Sequence, residues 1–201
     1  DKVRGNGNML NTNSNNTENA SGVQPYVSHA FTSTGFDIAQ TASGGNEVNV
    51  GDMVSWNWRV DGTPAVVTSG HTLSADPTLV ADTKRGVSIV KFNIGSDTDP
   101  TVPHGLGTKP MMIWMKALNQ SYNWDVWHWG MGTIDNTAIL NSTAQVVTNR
   151  TPFTTTEPTD TVFTMRSGFY TANTEVIAYC FTDIPGYQAI GTYTAGGNVN
   201  R

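Results

Sequence analysis

Short apolar segments rich in β-branched and aromatic residues recur along this chain of 201 residues and constrain its fold more than any other feature. Gly, Pro, Asn and Asp separate them, so each segment is long enough for a strand but too short for a helix of three turns. Short strands at regular spacing are typical of an all-β sandwich or barrel. The clearest segments are residues 87–92, 111–115, 124–129, 161–165 and 175–181.

The composition favours the same fold class. The chain has 29 Thr, 19 Asn, 13 Ser and 20 Gly, about two fifths of its residues, and all four are poor helix formers. The aromatic residues fall within the apolar segments, where they can build a core, so the chain is not expected to be disordered. We therefore predict an all-β protein of antiparallel β-sandwich or jelly-roll-like units in tandem, with few or no helices.

Charge and hydropathy exclude two classes of partner. The 11 Lys and Arg are scattered along a chain of net charge −5, so no basic face for nucleic acid is expected. The longest apolar runs have five or six residues, whereas a membrane helix needs about twenty, so no membrane insertion is expected. The lone Cys180 cannot form an internal disulfide, and we predict a buried, small hydrophobic residue in a protein made in a reducing cytosol.

Several segments of the chain resemble one another, which indicates internal repeats. The similar pairs are 9–13 with 139–143, 35–38 with 162–165, 53–58 with 176–181, and 85–93 with 186–194. Units of about 100 residues, a usual size for a β-sandwich, would account for these pairs. Chance similarity between two β-rich segments is the alternative.

The repeats predict four parts. Residues 1–60 would be the C-terminal part of a first β unit, and 61–85, rich in Thr, Asp and Pro, a linker. Residues 86–184 would form a complete β-sandwich unit, and 185–201 the first strand of a following repeat.

A series of motifs along nearly the whole chain carries a family resemblance. The most specific are His104-Gly-Leu-Gly-Thr-Lys-Pro110 and Tyr179-Cys-Phe-Thr-Asp-Ile-Pro-Gly-Tyr187. Shorter ones lie at 1–10, 31–36, 54–59, 87–92, 124–128, 140–144 and 158–163. In this order they resemble consecutive repeats of large virion proteins of marine bacteriophages, among them cyanophage tail fibres. Residues 61–85 depart from the Gly/Ala-rich linker of such repeats. Trp127 and Trp129 also depart from the pattern, because their side chains are larger than the repeat suggests at these positions.

The resemblance implies a structural protein of the virion, on the tail or the capsid surface, assembled in the cytoplasm of a bacterial host. Its partners would be other virion proteins, copies of itself (a trimer is favoured) and a glycan of the host cell surface. No catalytic residue carries over from the resemblance. Two alternatives stay open, namely a decoration protein of the phage head and a carbohydrate-binding module of a larger secreted protein.

One group of residues is a candidate ligand site. In a strand, Asp125, Trp127 and Trp129 would share a face, and two neighbouring indoles with a carboxylate could stack on a sugar and bind its hydroxyls. The alternative is that one face of this strand is core and the other an intersubunit contact, where Trp is also favoured.

The remaining chemistry-bearing residues do not form a recognisable site. His29, His71, His104 and His128 have no ligand spacing, so no metal or cofactor is predicted, and His104 is expected to be a turn or core histidine whose flanking glycines adopt positive φ. No pair of carboxylates stands out among 16 Asp and Glu, as a polysaccharide hydrolase would need. We therefore expect no enzymatic activity.

Overall fold

Strands make up the regular structure of the chain. The structure, a computed structural model, describes residues 1–5, 8–18, 27–32, 35–40, 54–144, 146–147 and 152–193. Within these residues there is no α-helix and only one 3-10 turn, at Trp129–Met131, which confirms the predicted all-β class. The strands are β1 (Val27–Phe31), β2 (Phe36–Gln40), β3 (Ala65–Val66), β4 (Thr78–Asp82), β5 (Val87–Ile94), β6 (Thr101–Pro103), β7 (Met112–Ala117), β8 (Asp125–His128), β9 (Ala138–Ile139), β10 (Val162–Thr164) and β11 (Thr174–Phe181).

Seven of these strands form the main sheet, in the order β3-β4-β5-β11-β7-β8-β9, and every neighbouring pair is antiparallel. The central strand β11 pairs along its whole length with β5, from Thr174 opposite Ile94 to Phe181 opposite Val87. Strands β6 and β10 form a second, two-stranded sheet, and β1 pairs with β2 in a third. The arrangement is β-sandwich-like.

The inner face of the main sheet carries the larger core. We define it as the face that presents Val90, Ile113, Met115, Val176 and Ala178, all of them fully buried. The small sheet and the loops around it supply the opposing layer. Its buried residues are Val102, Leu106, Phe153, Phe163, Met165 and Tyr170. Each large side chain removed from water in this way contributes about 1.5–3 kcal/mol, so this core accounts for most of the fold's stability.

The outer face of the main sheet is covered differently. We define it as the face that presents Ile89, Trp114, Ile177, Tyr179 and Phe181. Its cover is irregular chain from the N-terminal segment, residues 1–5 and 8–18, together with parts of residues 54–60 and 185–193. The apolar residues that these parts contribute are Val3, Leu10, Val60 and Ile190.

The segment interpreted as a linker contributes strands to the main sheet. β4 pairs with β5 from Thr78 opposite Lys91 to Asp82 opposite Val87, and β3 adds a further edge strand to β4. Residues 61–85 are therefore not a linker in the folded chain, and the structural unit begins before residue 86. The Pro residues of this segment do not interrupt its strands, because Pro64 and Pro77 lie directly before β3 and β4. The assignment of residues 1–60 and 185–201 to neighbouring repeats stays a prediction.

The predicted turn around His104 is confirmed. Gly105 and Gly107 have φ of +68° and +72°, the left-handed conformation that glycine adopts without cost. A Cβ on Gly105 would also lie 2.9 Å from Leu79 Cδ2, whereas one on Gly107 would meet nothing within 4 Å. The first glycine is thus required twice, for its conformation and for the close approach of β4.

Candidate functional site

The first two residues of the predicted glycan platform lie in the core. Asp125 and Trp127 share one face of β8, as strand alternation predicts, but that face is the inner one. The Trp127 ring is buried 6.5 Å from the ring of Phe153. The buried Asp125 carboxylate accepts a hydrogen bond from the Tyr170 hydroxyl at 3.1 Å. A sugar cannot stack on a covered ring, so the prediction that these two residues bind a glycan is wrong, and Trp127 is a core residue.

Trp129 is separated from that face because β8 ends one residue before it. It opens the 3-10 turn, where its side chain is 43% exposed, and its indole N–H donates to the carbonyl of Ile190 at 3.0 Å. The neighbouring His128 ring stacks beside it at 6.1 Å, and its Nδ1 accepts the N–H of Gly130 at 3.0 Å. Burial lowers the pKa of His128. Trp129 therefore fastens residues 185–193 to the end of β8.

Trp124 joins two loops on the outer side of the sheet. Its buried ring stacks on Tyr179 at 6.3 Å, and its indole N–H donates to the carbonyl of Asn11 at 2.8 Å. Its backbone N–H donates to the Asn141 side-chain oxygen, also at 2.8 Å. One tryptophan thus fixes a loop of the N-terminal segment and the loop that follows β9.

A wide-open cleft of about 620 Å³ lies between those two loops. We call it the loop cleft. Its lining has side chains of three chemical kinds, which are hydroxyl, carboxamide and one aliphatic group, and none of them is charged. The lining residues are Thr12, Asn13, Leu140, Asn141, Ser142 and Thr143.

An ion-pair network holds the N-terminal segment against the outer face. The Arg4 guanidinium donates to the carboxylates of Asp1 at 2.6 Å and Glu18 at 2.7 Å. The Tyr179 hydroxyl on β11 donates to Asp1 at 2.7 Å and accepts from Arg4 at 3.3 Å. The Arg4 side chain is only 7% exposed, so water screens this network less than a surface pair.

Lys116 lies buried on the same outer face, beneath the N-terminal segment. Its ammonium donates to the carbonyls of Ala117 at 2.8 Å and Asn15 at 3.4 Å. Burial lowers its pKa to about 8, although the Asp125 carboxylate favours the charged form. Two backbone carbonyls replace water around this ammonium, so the lysine acts as a clasp for the N-terminal segment.

A row of large apolar side chains stands exposed beside this region. Val54, Trp56 and Trp58 are 83%, 80% and 47% exposed, and they alternate with the polar Ser55 and Asn57. We call residues 54–58 the aromatic strip; they belong to no strand of the described structure.

The end of the aromatic strip rests on the sheet. The Trp58 ring contacts Trp114 and Phe181 edge-on, with centroids 6.3 Å and 6.0 Å away. This contact leaves Val54 and Trp56 in water.

Two residues that often serve catalysis are structural in this chain. The buried His104 ring donates from Nε2 to the Thr159 carbonyl at 3.1 Å and accepts the Leu106 N–H at Nδ1, and burial lowers its pKa. This confirms the predicted turn or core histidine. Cys180 is a free, fully buried thiol whose pKa burial raises to about 12, so it stays protonated.

The described residues contain neither a cluster of metal ligands nor a membrane-spanning helix. Among them, no group of three His, Cys, Asp or Glu side chains could hold a metal ion. In the same part of the chain, no helix has the length and hydropathy to cross a membrane.

Sequence reasoning missed the loop cleft, although one signal for it was present. The similarity of residues 9–13 to 139–143 indicates internal repeats but does not show by itself that the two segments meet. Residues 12–13 and 140–143, which belong to these two segments, line one cleft.

The family comparison covers the entire chain. The model of a family described as "Domain of unknown function (DUF7483)" matches residues 1–201. Neither the search of curated proteins nor the search of solved structures gives a match.

Proposed function

The chain belongs to the DUF7483 family, a domain of unknown function, and we propose that it is a non-catalytic structural module of a bacteriophage virion. It would build a β-rich tail fibre or a related surface appendage, and contribute to contact with glycans of the host surface. Its partners would be other virion proteins and further copies of itself, with a trimer favoured. The series of motifs that resembles marine phage virion proteins supports the phage assignment.

The aromatic strip is the observation that carries the assembly role. Val54 and Trp56 expose most of their apolar surface within three residues, although single scattered hydrophobic residues are the usual pattern of a protein surface. Tryptophan is enriched at the centres of protein interfaces, where it buries a large area at a small cost in conformational entropy. A contact between chains would remove this surface from water.

The internal repeat indicates what kind of contact the strip makes. Residues 53–58 resemble 176–181, which form most of the central strand β11. In that pairing Trp56 corresponds to Tyr179 and Trp58 to Phe181, so both segments carry large side chains on one face. A segment with the pattern of a central strand can pair with strands of a neighbouring chain, which is how β-augmentation joins modules.

The carboxylates support a non-catalytic role. The loop cleft has no acidic residue in its lining. The buried Asp82 is occupied by backbone N–H groups, among them that of Asp61 at 2.9 Å, and by the Arg85 guanidinium at 2.6 Å. Asp125 is held by a tyrosine inside the core. Glycosidase chemistry needs two carboxyl groups facing one substrate, and neither buried Asp lines the loop cleft.

A carbohydrate-binding module is the second candidate, and the loop cleft favours it. A cleft lined by hydroxyls and carboxamides suits a sugar in a fibre or in a secreted enzyme alike. The two candidates differ in assembly, since a module of an enzyme would be a monomer and a fibre segment would be an oligomer.

Immuno-electron microscopy tests the virion assignment. An antiserum raised against the purified chain should bind gold particles to an appendage on intact virions of the phage that encodes it. Labelling spread over the capsid would indicate a decoration protein of the phage head instead of a tail appendage. Absence of the chain from purified virions, checked by mass spectrometry of their proteins, would contradict the proposal.

A further inference from the structure

We propose that the loop cleft binds a neutral glycan, which deepens the proposed host-surface role and rests on it. Its walls come from two distant parts of the chain, residues 12–13 and 140–143. The volume of about 620 Å³ lies within the usual range of small-molecule sites.

The lining matches the chemistry of a sugar without charges. Thr12, Ser142 and Thr143 supply hydroxyls that donate and accept, and Asn13 and Asn141 supply carboxamides that do the same. Leu140 is 40% exposed and offers an aliphatic surface to the C–H face of a ring. Such a set pairs with sugar hydroxyls in either direction, while the absence of Arg and Lys from the lining gives an anionic group no cationic partner.

The walls are held in place before any ligand arrives. The Asn141 side chain accepts from the Trp124 backbone N–H at 2.8 Å and donates to the Asn123 side-chain oxygen at 2.9 Å. The opposite wall is fixed by the bond from the Trp124 indole to the Asn11 carbonyl at 2.8 Å. A site whose groups are already ordered loses less entropy on binding.

The two walls repeat one short pattern. The segment Leu10-Asn11-Thr12-Asn13 is matched by Leu140-Asn141-Ser142-Thr143 on the other side. In this pairing Thr12 corresponds to Ser142 and Asn13 to Thr143, so each wall presents small hydrogen-bonding groups at the same two positions. Like groups on opposite walls suit a ligand that carries hydroxyls on both of its sides, as a saccharide does. An uncharged glycan also agrees with the net charge of −5, because this charge repels acidic polysaccharide.

Nuclear magnetic resonance titration of the full chain tests the site. The probes are the methyl glycosides of glucose, mannose, galactose and rhamnose, with methyl glucuronide as the charged comparison, each added up to its solubility limit. At least one neutral glycoside should cause saturable shifts of the amide signals of residues 12–13 and 140–143, including the side-chain amides of Asn13 and Asn141.

The double variant Thr12→Val, Ser142→Ala removes one hydroxyl from each wall and should weaken binding of that glycoside about tenfold or more. The matched control is Thr83→Val, which removes an exposed hydroxyl from the β4–β5 turn and should leave binding unchanged. Absence of saturable shifts with every neutral glycoside would overturn the proposal. Stronger binding of methyl glucuronide, or equal loss in the control, would overturn it as well.

The native mass of the same samples separates this proposal from the assembly role. If the native chain is an oligomer but no glycoside shifts its amide signals, only the proposal that the loop cleft binds a glycan is rejected. Glycan binding by a chain that stays monomeric keeps the loop cleft and rejects the fibre.

Discussion

The two faces of the main sheet are both covered, but by different means. The inner face packs against β6, β10 and their loops through apolar contacts, such as that between Phe92 and Phe163 at 6.2 Å. The outer face is covered by irregular chain held through the Arg4 ion pairs, the Lys116 ammonium and the Trp124 indole. The loop cleft and the aromatic strip both belong to this outer cover.

The difference separates stability from function within one sheet. Apolar contacts give the inner face its stability without specificity for a partner, because burial energy is non-directional. In the outer cover, hydrogen bonds and ion pairs hold the loops in fixed positions. They leave the hydroxyls and carboxamides of the loop cleft and the tryptophans of the aromatic strip accessible. Mutations of buried residues on the inner face should therefore have the largest effect on the free energy of unfolding, and mutations of exposed residues in the outer cover should change assembly and binding.

The largest expected effect comes from a tryptophan of the inner face. Trp127→Ala removes a buried indole beside Phe153 and should lower the free energy of unfolding by about 3–5 kcal/mol. The matched variant Trp56→Ala alters an 80% exposed indole and, in samples dilute enough to hold single chains, should change the free energy of unfolding by less than about 0.5 kcal/mol. Urea denaturation followed by circular dichroism measures the free energy of unfolding of both variants. Equal losses would contradict the assignment of Trp127 to the core and Trp56 to the surface.

Two glycines of the turn around His104 give the next effect. Gly105→Ala should cost about 2–3 kcal/mol, because the new methyl adds a clash with Leu79 to the strain of a left-handed conformation. Gly107→Ala has the same strain but open space, and should cost about 1 kcal/mol. Thermal unfolding of the two variants resolves them. An equal cost would show that β4 does not pack against this turn.

Two arginines compare a covered ion pair with an exposed one. Arg4→Met should lower the free energy of unfolding by about 1–2 kcal/mol, because Asp1 and Glu18 lose their partner near the outer face. Arg59→Met removes an ion pair to Asp61 from a side chain that is 72% exposed, and should leave the free energy of unfolding nearly unchanged. Hydrogen exchange should also show faster opening of residues 8–18 in the first variant alone. Unchanged exchange there would mean that Arg4 does not hold the segment.

Acidification should weaken the fold through His104, with the smallest effect. Burial lowers the pKa of His104 in the folded state, so the folded chain binds fewer protons than the unfolded one. Above the pKa of histidine in the unfolded chain, about 6.5, His104 is neutral in both states and does not weaken the fold. As the pH falls below that value, the unfolded chain binds the proton first, so the free energy of unfolding decreases.

Denaturant midpoints at pH 7.5 and pH 5.5 should differ for the native chain and differ less for His104→Gln. An unchanged pH dependence in the variant would assign the effect to other groups. His128 provides a comparison within the same chain. Burial lowers its pKa too, but its side chain is less covered than that of His104, so we expect it to contribute less to the pH dependence.

The fold class was predictable because strand patterns and turn residues are local properties of the sequence. Cys180 and His104 were assigned correctly for the same reason, since each lies inside an apolar run or a glycine turn. The face shared by Asp125 and Trp127 was predicted as well. What alternation cannot tell is which face is covered, because both faces of this sheet pack against chain that is distant in sequence.

The loop cleft could not be predicted for a related reason. Its walls, residues 12–13 and 140–143, are more than 120 residues apart, and their similarity in sequence does not show that they meet. They meet because Trp124 bonds to both loops, which is a tertiary contact. The β4 strand was missed because its five residues form too short an apolar pattern to stand out.

The native mass of the chain, measured by light scattering on a sizing column across a concentration series, tests the central claim most directly. The assembly role predicts a symmetric oligomer, with a trimer favoured, and predicts that Trp56→Ser converts it to a monomer with an unchanged circular dichroism spectrum. A monomer at every concentration for the native chain would contradict the claim that the outer face assembles chains.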